Sequence, residues 1–99
     1  MNEFHASASV PADHPCLAGH FPGQPIVPGV LLLELVAAAV REWRGTSSQV
    51  RKFPNVKFLA PLLPGEVMDV HLSGSGAQLR FRCECAGRVL AQGSLELAN

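Results

Sequence analysis

Charged residues are scarce in this sequence, and tyrosine is absent. Only 16% of the 99 residues are charged, and eight basic and eight acidic side chains cancel to a net charge of zero. Because there is no basic run or charged tail, neither nucleic acid nor an anionic membrane is expected as a partner. The longest apolar run, Val30 to Val40, is interrupted by Glu34 and is too short to span a bilayer.

Cysteine is limited to three residues, and none of them forms a CxxC pair. Cys83 and Cys85 are two positions apart, so on a strand they would share one face and could not easily bridge each other. The histidines and cysteines have no zinc-finger or zinc-ribbon spacing, so we expect no metal site. The first ten residues lack the basic and apolar segments of a signal peptide. These features predict a reduced, cytoplasmic protein.

The apolar pattern changes from helical to alternating along the chain. Residues 3–10 predict an edge strand, and five prolines between residues 11 and 29 exclude regular helix or central strand there. A helix is predicted from Gly29 to about Arg44, where "RGTSS" ends it. Period-two alternation then predicts strands in four segments, 55–58, 66–73, 77–85 and 88–98.

These elements predict an α+β fold in one domain, residues 1–99, with a long helix followed by an antiparallel meander. The helix is apolar nearly all round, so we expect it to be buried on most sides by a sheet that curls around it. A sheet of four or five strands leaves its edges and part of the helix uncovered. This arrangement favours pairing with a second copy.

The segment "GHFPGQPIVPGVLLLELV", residues 19–36, places His20 fourteen residues before Glu34. A carboxylate buried among leucines would need a partner or a cavity, whereas an exposed stripe of the helix explains it equally well. By itself His20 is typical of a loop histidine that binds backbone carbonyls. Together the two residues would supply a base and an acid near a helix N-terminus. There Gly29 lets a ligand approach the first free N–H groups.

The stretch "GHFPGQPIVPGVLLLE" resembles the signature of the hot-dog-fold β-hydroxyacyl-acyl-carrier-protein dehydratases of fatty acid synthesis. "VKFLAPLLPGE", residues 56–66, is similar to the second landmark of that family, an apolar strand closing on a Pro-Gly turn. "DHPCLAGHFPG" resembles short dehydratase-like proteins found with polyketide or aryl-polyene synthesis genes. The resemblance covers nearly the whole chain. It implies a hot-dog fold, with an antiparallel sheet wrapped around one long helix and dimerised edge to edge.

The resemblance also implies an activity, the dehydration of 3-hydroxyacyl thioesters carried on acyl-carrier protein. By position, His20 is the catalytic histidine and Glu34 the catalytic acid, contributed by different chains of the dimer. Gly29 and Val30 would offer N–H groups to the thioester carbonyl. An imidazole with an ordinary pKa of about 6.5 suits proton transfer at neutral pH, and Glu34 can protonate the departing hydroxyl. No metal or organic cofactor is required.

Several residues carry weaker hypotheses. His14 and Phe21 are candidates for the mouth of the site, although stabilising the loop is the simpler role for His14. A modest docking patch for the acidic carrier protein is one interpretation of four basic residues, which ordinary solvated charges explain equally well: Arg41, Arg44, Arg51 and Lys52.

Two other functions stay open. A hot-dog thioesterase would use a carboxylate and water on the same thioester, although the HFPG histidine and its spacing argue against it. The common dehydratases often have Gln four residues after the acid, where this chain has Ala38. The second alternative is therefore a non-catalytic acyl-binding or dimerisation subunit.

Overall fold

The structure, a computed structural model, describes residues 2–11, 13 and 26–98, which form five strands and one helix. In chain order these are β1 (Glu3–Ala8), α1 (Gly29–Arg44), β2 (Val50–Phe58), β3 (Met68–Ser73), β4 (Gln78–Cys85) and β5 (Arg88–Leu97). The strands form one antiparallel sheet in the order β1-β3-β4-β5-β2. The predicted α+β architecture is confirmed, and β1 and β2 form the two edges of the sheet.

The helix α1 packs against the sheet and leaves one stripe exposed. Its buried residues are Leu31, Leu32, Val36, Ala39 and Val40, and Leu33, Leu35 and Trp43 are partly buried against the same core. Only four of its sixteen residues are exposed: Val30, Glu34, Ala38 and Glu42. The prediction that most sides are buried therefore holds except along this stripe, which one small sheet does not reach. This helix, which lies in the described part of the chain, is neither long nor apolar enough to cross a membrane.

Glycine conformations end the helix and close the last hairpin. Gly45 follows α1 with a φ of 108°, and its N–H donates to the carbonyl of Arg41 at 2.9 Å. Between β4 and β5, Ala86 and Gly87 have φ values of 52° and 78°. Two consecutive residues with positive φ are the conformation that a two-residue hairpin needs to match the twist of its strands.

Two features of the sheet differ from the simple alternation predicted. β2 begins at Val50, earlier than the predicted segment, and includes Pro54; proline is tolerated there because β2 is an edge strand. A register shift in the β4–β5 pair follows Cys83. As a result Leu90 and Ala91 are both fully buried although they are adjacent in sequence. Strict alternation cannot predict such a bulge.

Candidate active site

The segment before α1 is held by backbone hydrogen bonds to the β2–β3 connection. The N–H of Val27 donates to the carbonyl of Leu62 at 2.9 Å, and the N–H of Gly65 donates to the carbonyl of Val10 at 2.8 Å. Leu62 is itself buried in the core. Pro28 then takes extended geometry, with φ −60° and ψ 145°, so the chain turns directly from an anchored strand-like residue into the helix.

The first two amides of α1 lie before the helical hydrogen bonds begin. The carbonyl of Pro28 accepts from Leu31 at 3.0 Å and from Leu32 at 3.2 Å. The N–H groups of Gly29 and Val30 precede these bonds and have no acceptor within the described ranges. Free N–H groups at a helix N-terminus favour a carbonyl oxygen that gains negative charge.

The aromatic ring of Phe58 lies directly over Gly29. A Cβ atom built on Gly29 would be 2.9 Å from Cζ of Phe58 and 3.1 Å from its Cε1. Only glycine therefore leaves room for this ring position. Val30, the next residue, is 68% exposed. The two amides thus belong to a residue that the ring of Phe58 covers and to one that is largely exposed.

Glu34 belongs to an exposed stripe of α1. Val30, Glu34, Ala38 and Glu42 are all exposed, and four-residue steps place them on one helix face. Along the axis Glu34 is about 6 Å from Val30, at a rise of 1.5 Å per residue. Of the two interpretations of Glu34, a buried carboxylate or a residue on an exposed stripe of the helix, the single chain therefore shows the second. The carboxylate lies one turn from the free amides.

Several large apolar side chains are exposed in the described part of the chain, and two of them, Val30 and Phe58, lie at this helix start. We call this set the apolar rim: it comprises Val30, Phe58, Leu59, Leu63 and Val67, each between 44% and 68% exposed. All but Val30 belong to the end of β2 or to the connection that follows it. Large apolar side chains exposed close together are typical of a surface that another molecule covers.

Two cysteine thiols lie in the core of the sheet. Burial raises the pKa of the Cys83 thiol to about 12. Burial first, and then the carboxylate of Glu66, also raise the pKa of Cys85. Both thiols are protonated at neutral pH, and both residues are buried, which confirms their prediction as small core residues. Among the described residues, no group of three His, Cys, Asp or Glu side chains is arranged to hold a metal ion.

Comparison with known families identifies the family of this chain. The sequence profile of the ApeI-like family, described as ApeI dehydratase, matches residues 1–94. This chain belongs to the ApeI-like dehydratase family. The recognition from the motif in residues 19–34 is therefore confirmed, and the match extends from β1 into β5.

Relatives of this ApeI-like chain include 3-hydroxyacyl-[acyl-carrier-protein] dehydratases named FabZ. The Geobacter metallireducens protein is 31% identical over 102 residues, covering 89% of this chain and 68% of the relative. The Pasteurella multocida protein is 38% identical over 76 residues, covering 67% of this chain and 50% of the relative. The chain thus spans between one half and about two thirds of the length of these relatives.

A solved structure shares the fold of this ApeI-like chain. It is the dehydratase heterocomplex ApeI:P from Xenorhabdus doucetiae, with a TM-score of 0.84 and 24% identity, covering 99% of this chain and 88% of that one. At this identity the comparison shows the fold. The predicted hot-dog fold is confirmed.

The structure brings together three of the predicted site residues in this ApeI-like chain. Gly29, Val30 and Glu34 lie within the first two turns of α1; Val30 and Glu34 are exposed and Gly29 is half-buried. The other predicted residues lie outside the described ranges: His14, His20 and Phe21.

Phe58 is the neighbour of the site that the sequence alone did not identify. Alternation placed it on the same strand face as Val56, and the second family landmark includes it. Its position over Gly29 depends on how β2 meets the start of α1, a long-range contact that no local pattern encodes.

Proposed function

We propose that this single hot-dog domain converts 3-hydroxyacyl thioesters on acyl-carrier protein into trans-2-enoyl thioesters, in fatty acid, polyketide or aryl-polyene biosynthesis in the cytoplasm. The observation that carries the proposal is the start of α1, where two amides without an acceptor among the described residues are followed one turn later by an exposed carboxylate. Membership of a dehydratase family and the FabZ relatives support it.

The proposed reaction assigns one task to each group. His20 removes the proton from the α-carbon of the thioester, and the electrons of that C–H bond form the new double bond. The C–O bond at the β-carbon breaks, and Glu34 protonates the departing hydroxyl, which leaves as water. The amides of Gly29 and Val30 stabilise the negative charge on the thioester oxygen. Such donors contribute about 3 kcal/mol each to the transition state in other enzymes.

A homodimer completes the site in this proposal. The single chain leaves Glu34 and the apolar rim exposed, and the outer edge of β2 is unpaired within the described sheet. A second copy placed against this side would cover the rim and enclose the free amides. The histidine of one chain would then meet the carboxylate of its partner.

The test is turnover of 3-hydroxybutyryl and crotonyl thioesters by the purified chain. Reversible interconversion, followed by the ultraviolet absorbance of the enoyl thioester, supports the proposal. Release of free thiol identifies a thioesterase, and absence of both reactions identifies a binding subunit; each result contradicts the proposal.

A single substitution tests the role of the carboxylate. Glu34→Gln is nearly isosteric and removes the proton donor, so kcat should fall at least about 100-fold. Glu42→Gln, on the same exposed stripe two turns later, is the matched control and should keep the wild-type rate. A Glu34→Gln rate within about threefold of wild type would show that Glu34 is not the acid.

A further inference from the structure

A tight turn in the connection from β2 to β3 lies next to the segment that leads into α1. Leu63, Pro64, Gly65 and Glu66 form a β-turn, closed by the N–H of Glu66, which donates to the carbonyl of Leu63 at 3.1 Å. Proline at the second position and glycine with a φ of 87° at the third are the pattern of a type II turn. We call residues 63–66 the Pro-Gly turn.

The side chain of Glu66 closes the same turn a second time. Its Oε1 accepts from the N–H of Leu63 at 2.9 Å. Within the described ranges, Glu66 is the one carboxylate that accepts a backbone N–H. The other hydrogen-bonded carboxylates of these ranges accept from side chains: Asp69, Glu84 and Glu96. A hydrogen bond to an ionised acceptor is stronger than one between neutral groups, so Glu66 is well suited to fix the backbone of the turn.

The peptide group between Leu62 and Leu63 is held at both ends. Its N–H is bonded to Glu66, and its C=O accepts from the N–H of Val27 at 2.9 Å. The two groups belong to one planar trans unit and point in opposite directions, so fixing the N–H also fixes the direction of the carbonyl. A negative acceptor on the N–H polarises the carbonyl as well, which strengthens the bond from Val27.

Val27 passes this constraint to the start of α1. Leu62 and Val27 are 1% and 6% exposed, and a buried donor that loses its acceptor is unfavourable, so the two residues stay bonded. Pro28 follows with a φ of −60°, which its ring fixes. Only Pro28 lies between the anchored residue and Gly29, the first residue with a free amide. The position of the free amides therefore depends on the Pro-Gly turn.

The same turn also binds the residue before the prolines of the motif segment. The N–H of Gly65 donates to the carbonyl of Val10 at 2.8 Å, and Val10 is buried. Val10 and Val27 are thus both attached to the β2–β3 connection, and His20 belongs in sequence to the interval between them. A displacement of the Pro-Gly turn would shift both ends of this interval.

We propose that Glu66 is a positioning residue for the thioester site, an inference that rests on the proposed function. Its carboxylate fixes the direction of the Leu62 carbonyl, which anchors Val27, and this anchor sets where the amides of Gly29 and Val30 lie. Glu66 acts through these residues and not on the reacting atoms. A displacement of about 1 Å at groups that position a reacting oxygen is enough to lower kcat.

Steady-state kinetics with a 3-hydroxybutyryl thioester test this role. Glu66→Ala removes the acceptor, and kcat should fall at least about fivefold with KM changed less than about twofold, because the amides act on charge that develops in the transition state. Glu66→Gln keeps an oxygen that can accept from Leu63, so its kcat should lie within about twofold of the wild type. A wild-type kcat in Glu66→Ala, or an equal loss in Glu66→Gln, would overturn the proposal.

Asp69→Ala is the matched control for the loss of a hydrogen-bonded carboxylate. Asp69 accepts from the hydroxyl of Ser7 at 3.0 Å. Its neighbours Met68 and Val70 are buried, so the side chain of Asp69 lies on the sheet face that points away from the core. The variant should lose stability in urea much as Glu66→Ala does and keep its kcat. An equal loss of kcat in both variants would show that general destabilisation is the cause, and the positioning role would be wrong.

Hydrogen exchange separates failure of this role from failure of the proposed function. Exchange of the Val27 amide requires the Leu62 carbonyl to turn away, which Glu66 opposes through the same peptide group. Protection of the Val27 amide should fall at least about tenfold in Glu66→Ala and stay unchanged in Asp69→Ala. Unchanged protection in Glu66→Ala overturns the positioning role. Lost protection in Glu66→Ala, with a wild type that converts no 3-hydroxyacyl thioester, overturns the proposed function and leaves the anchor at Val27 supported.

Discussion

At the scale of single residues, Gly29 joins the helix, the sheet and the proposed site. Its amide is the first of two free donors, and its missing side chain leaves space that the ring of Phe58 occupies. Phe58 is 53% exposed, so the ring can rotate into solvent without loss of core packing. The site at this point is therefore more sensitive to substitution than the fold is.

Gly29→Ala should reduce activity with little effect on stability. The new methyl group would come within 2.9 Å of Cζ of Phe58, so the ring must leave its place over the first residue of the site. We expect kcat/KM to fall at least about tenfold, about 1.4 kcal/mol of transition-state stabilisation. The free energy of unfolding should change by less than about 1 kcal/mol, because alanine is the better helix former.

A double-mutant cycle checks that displacement of the Phe58 ring causes the loss of kcat/KM in Gly29→Ala. In a Phe58→Ala background the methyl group has no ring to displace, so Gly29→Ala should then have much less effect on kcat/KM. Equal losses in both backgrounds would show that the two residues are not coupled, and the explanation would be wrong.

The predicted functional residues differ in how far the sequence determined them. The spacing in the motif placed Gly29, Val30 and Glu34 at the start of a helix, and the structure has them there. The motif spacing does not show whether Glu34 is buried, because the exposure of a helical residue depends on what packs against its face of the helix. The roles of these residues, and those of His20, stay predictions.

At the scale of elements, the close pairing of the edge strand β2 with β5 requires a glycine in β5. Gly93 of β5 pairs with Val56, next to a register shift in β2 between Lys52 and Asn55. A Cβ atom on Gly93 would be 2.0 Å from the carbonyl oxygen of Asn55 and 3.0 Å from Cα of Val56. These are backbone atoms, so a larger residue can be accommodated only if the two strands separate.

Gly93→Ala should therefore destabilise the fold. We expect the free energy of unfolding in urea to fall by at least about 2 kcal/mol, within the range of overpacking substitutions. Ser94→Ala, at the next position of the same strand, is the control and should change it by less than about 0.5 kcal/mol. A Gly93→Ala protein as stable as the control would show that β2 and β5 do not approach so closely.

Elements were predicted well where local pattern decides them. The helix bounds at Gly29 and Arg44 agree with the structure because proline before the helix and glycine after it are local signals. The start of β2 at Val50 and the bulge after Cys83 were not predicted. Both depend on which residues of another strand lie opposite, and this information is absent from a single segment.

At the scale of the whole molecule, one side of the single chain is left uncovered. The exposed stripe of α1 begins at Val30, Phe58 of the apolar rim lies over Gly29, and β2 has an unpaired edge in the described sheet. The proposed homodimer would cover this side, with each site built from two chains. Complementation between inactive chains tests that arrangement.

A mixture of His20→Ala and Glu34→Ala chains should regain activity that neither homodimer has. In a mixed dimer one site carries both lesions, and the other pairs an intact histidine with an intact carboxylate. With random two-fold pairing, half of the dimers are mixed and half of their sites work. About a quarter of wild-type activity should therefore return after co-expression.

Mass spectrometry of the intact dimers supplies the control for complementation. If mixed dimers form and activity stays near zero, each site lies within one chain and the shared site is wrong. A wild-type chain that sediments as a monomer while it turns over substrate would contradict the homodimer itself.

The sequence by itself determined the family, the order and type of the elements, and the position of the amides and carboxylate along the helix. These follow from periodicity, from proline and glycine at element ends, and from a motif whose members are close in the chain. Only the tertiary structure decided that Glu34 is exposed, that Phe58 covers Gly29, and that one peptide group links Glu66 to Val27. Each of these depends on strand order and register, which bring distant segments together and are set by the packing of the whole sheet.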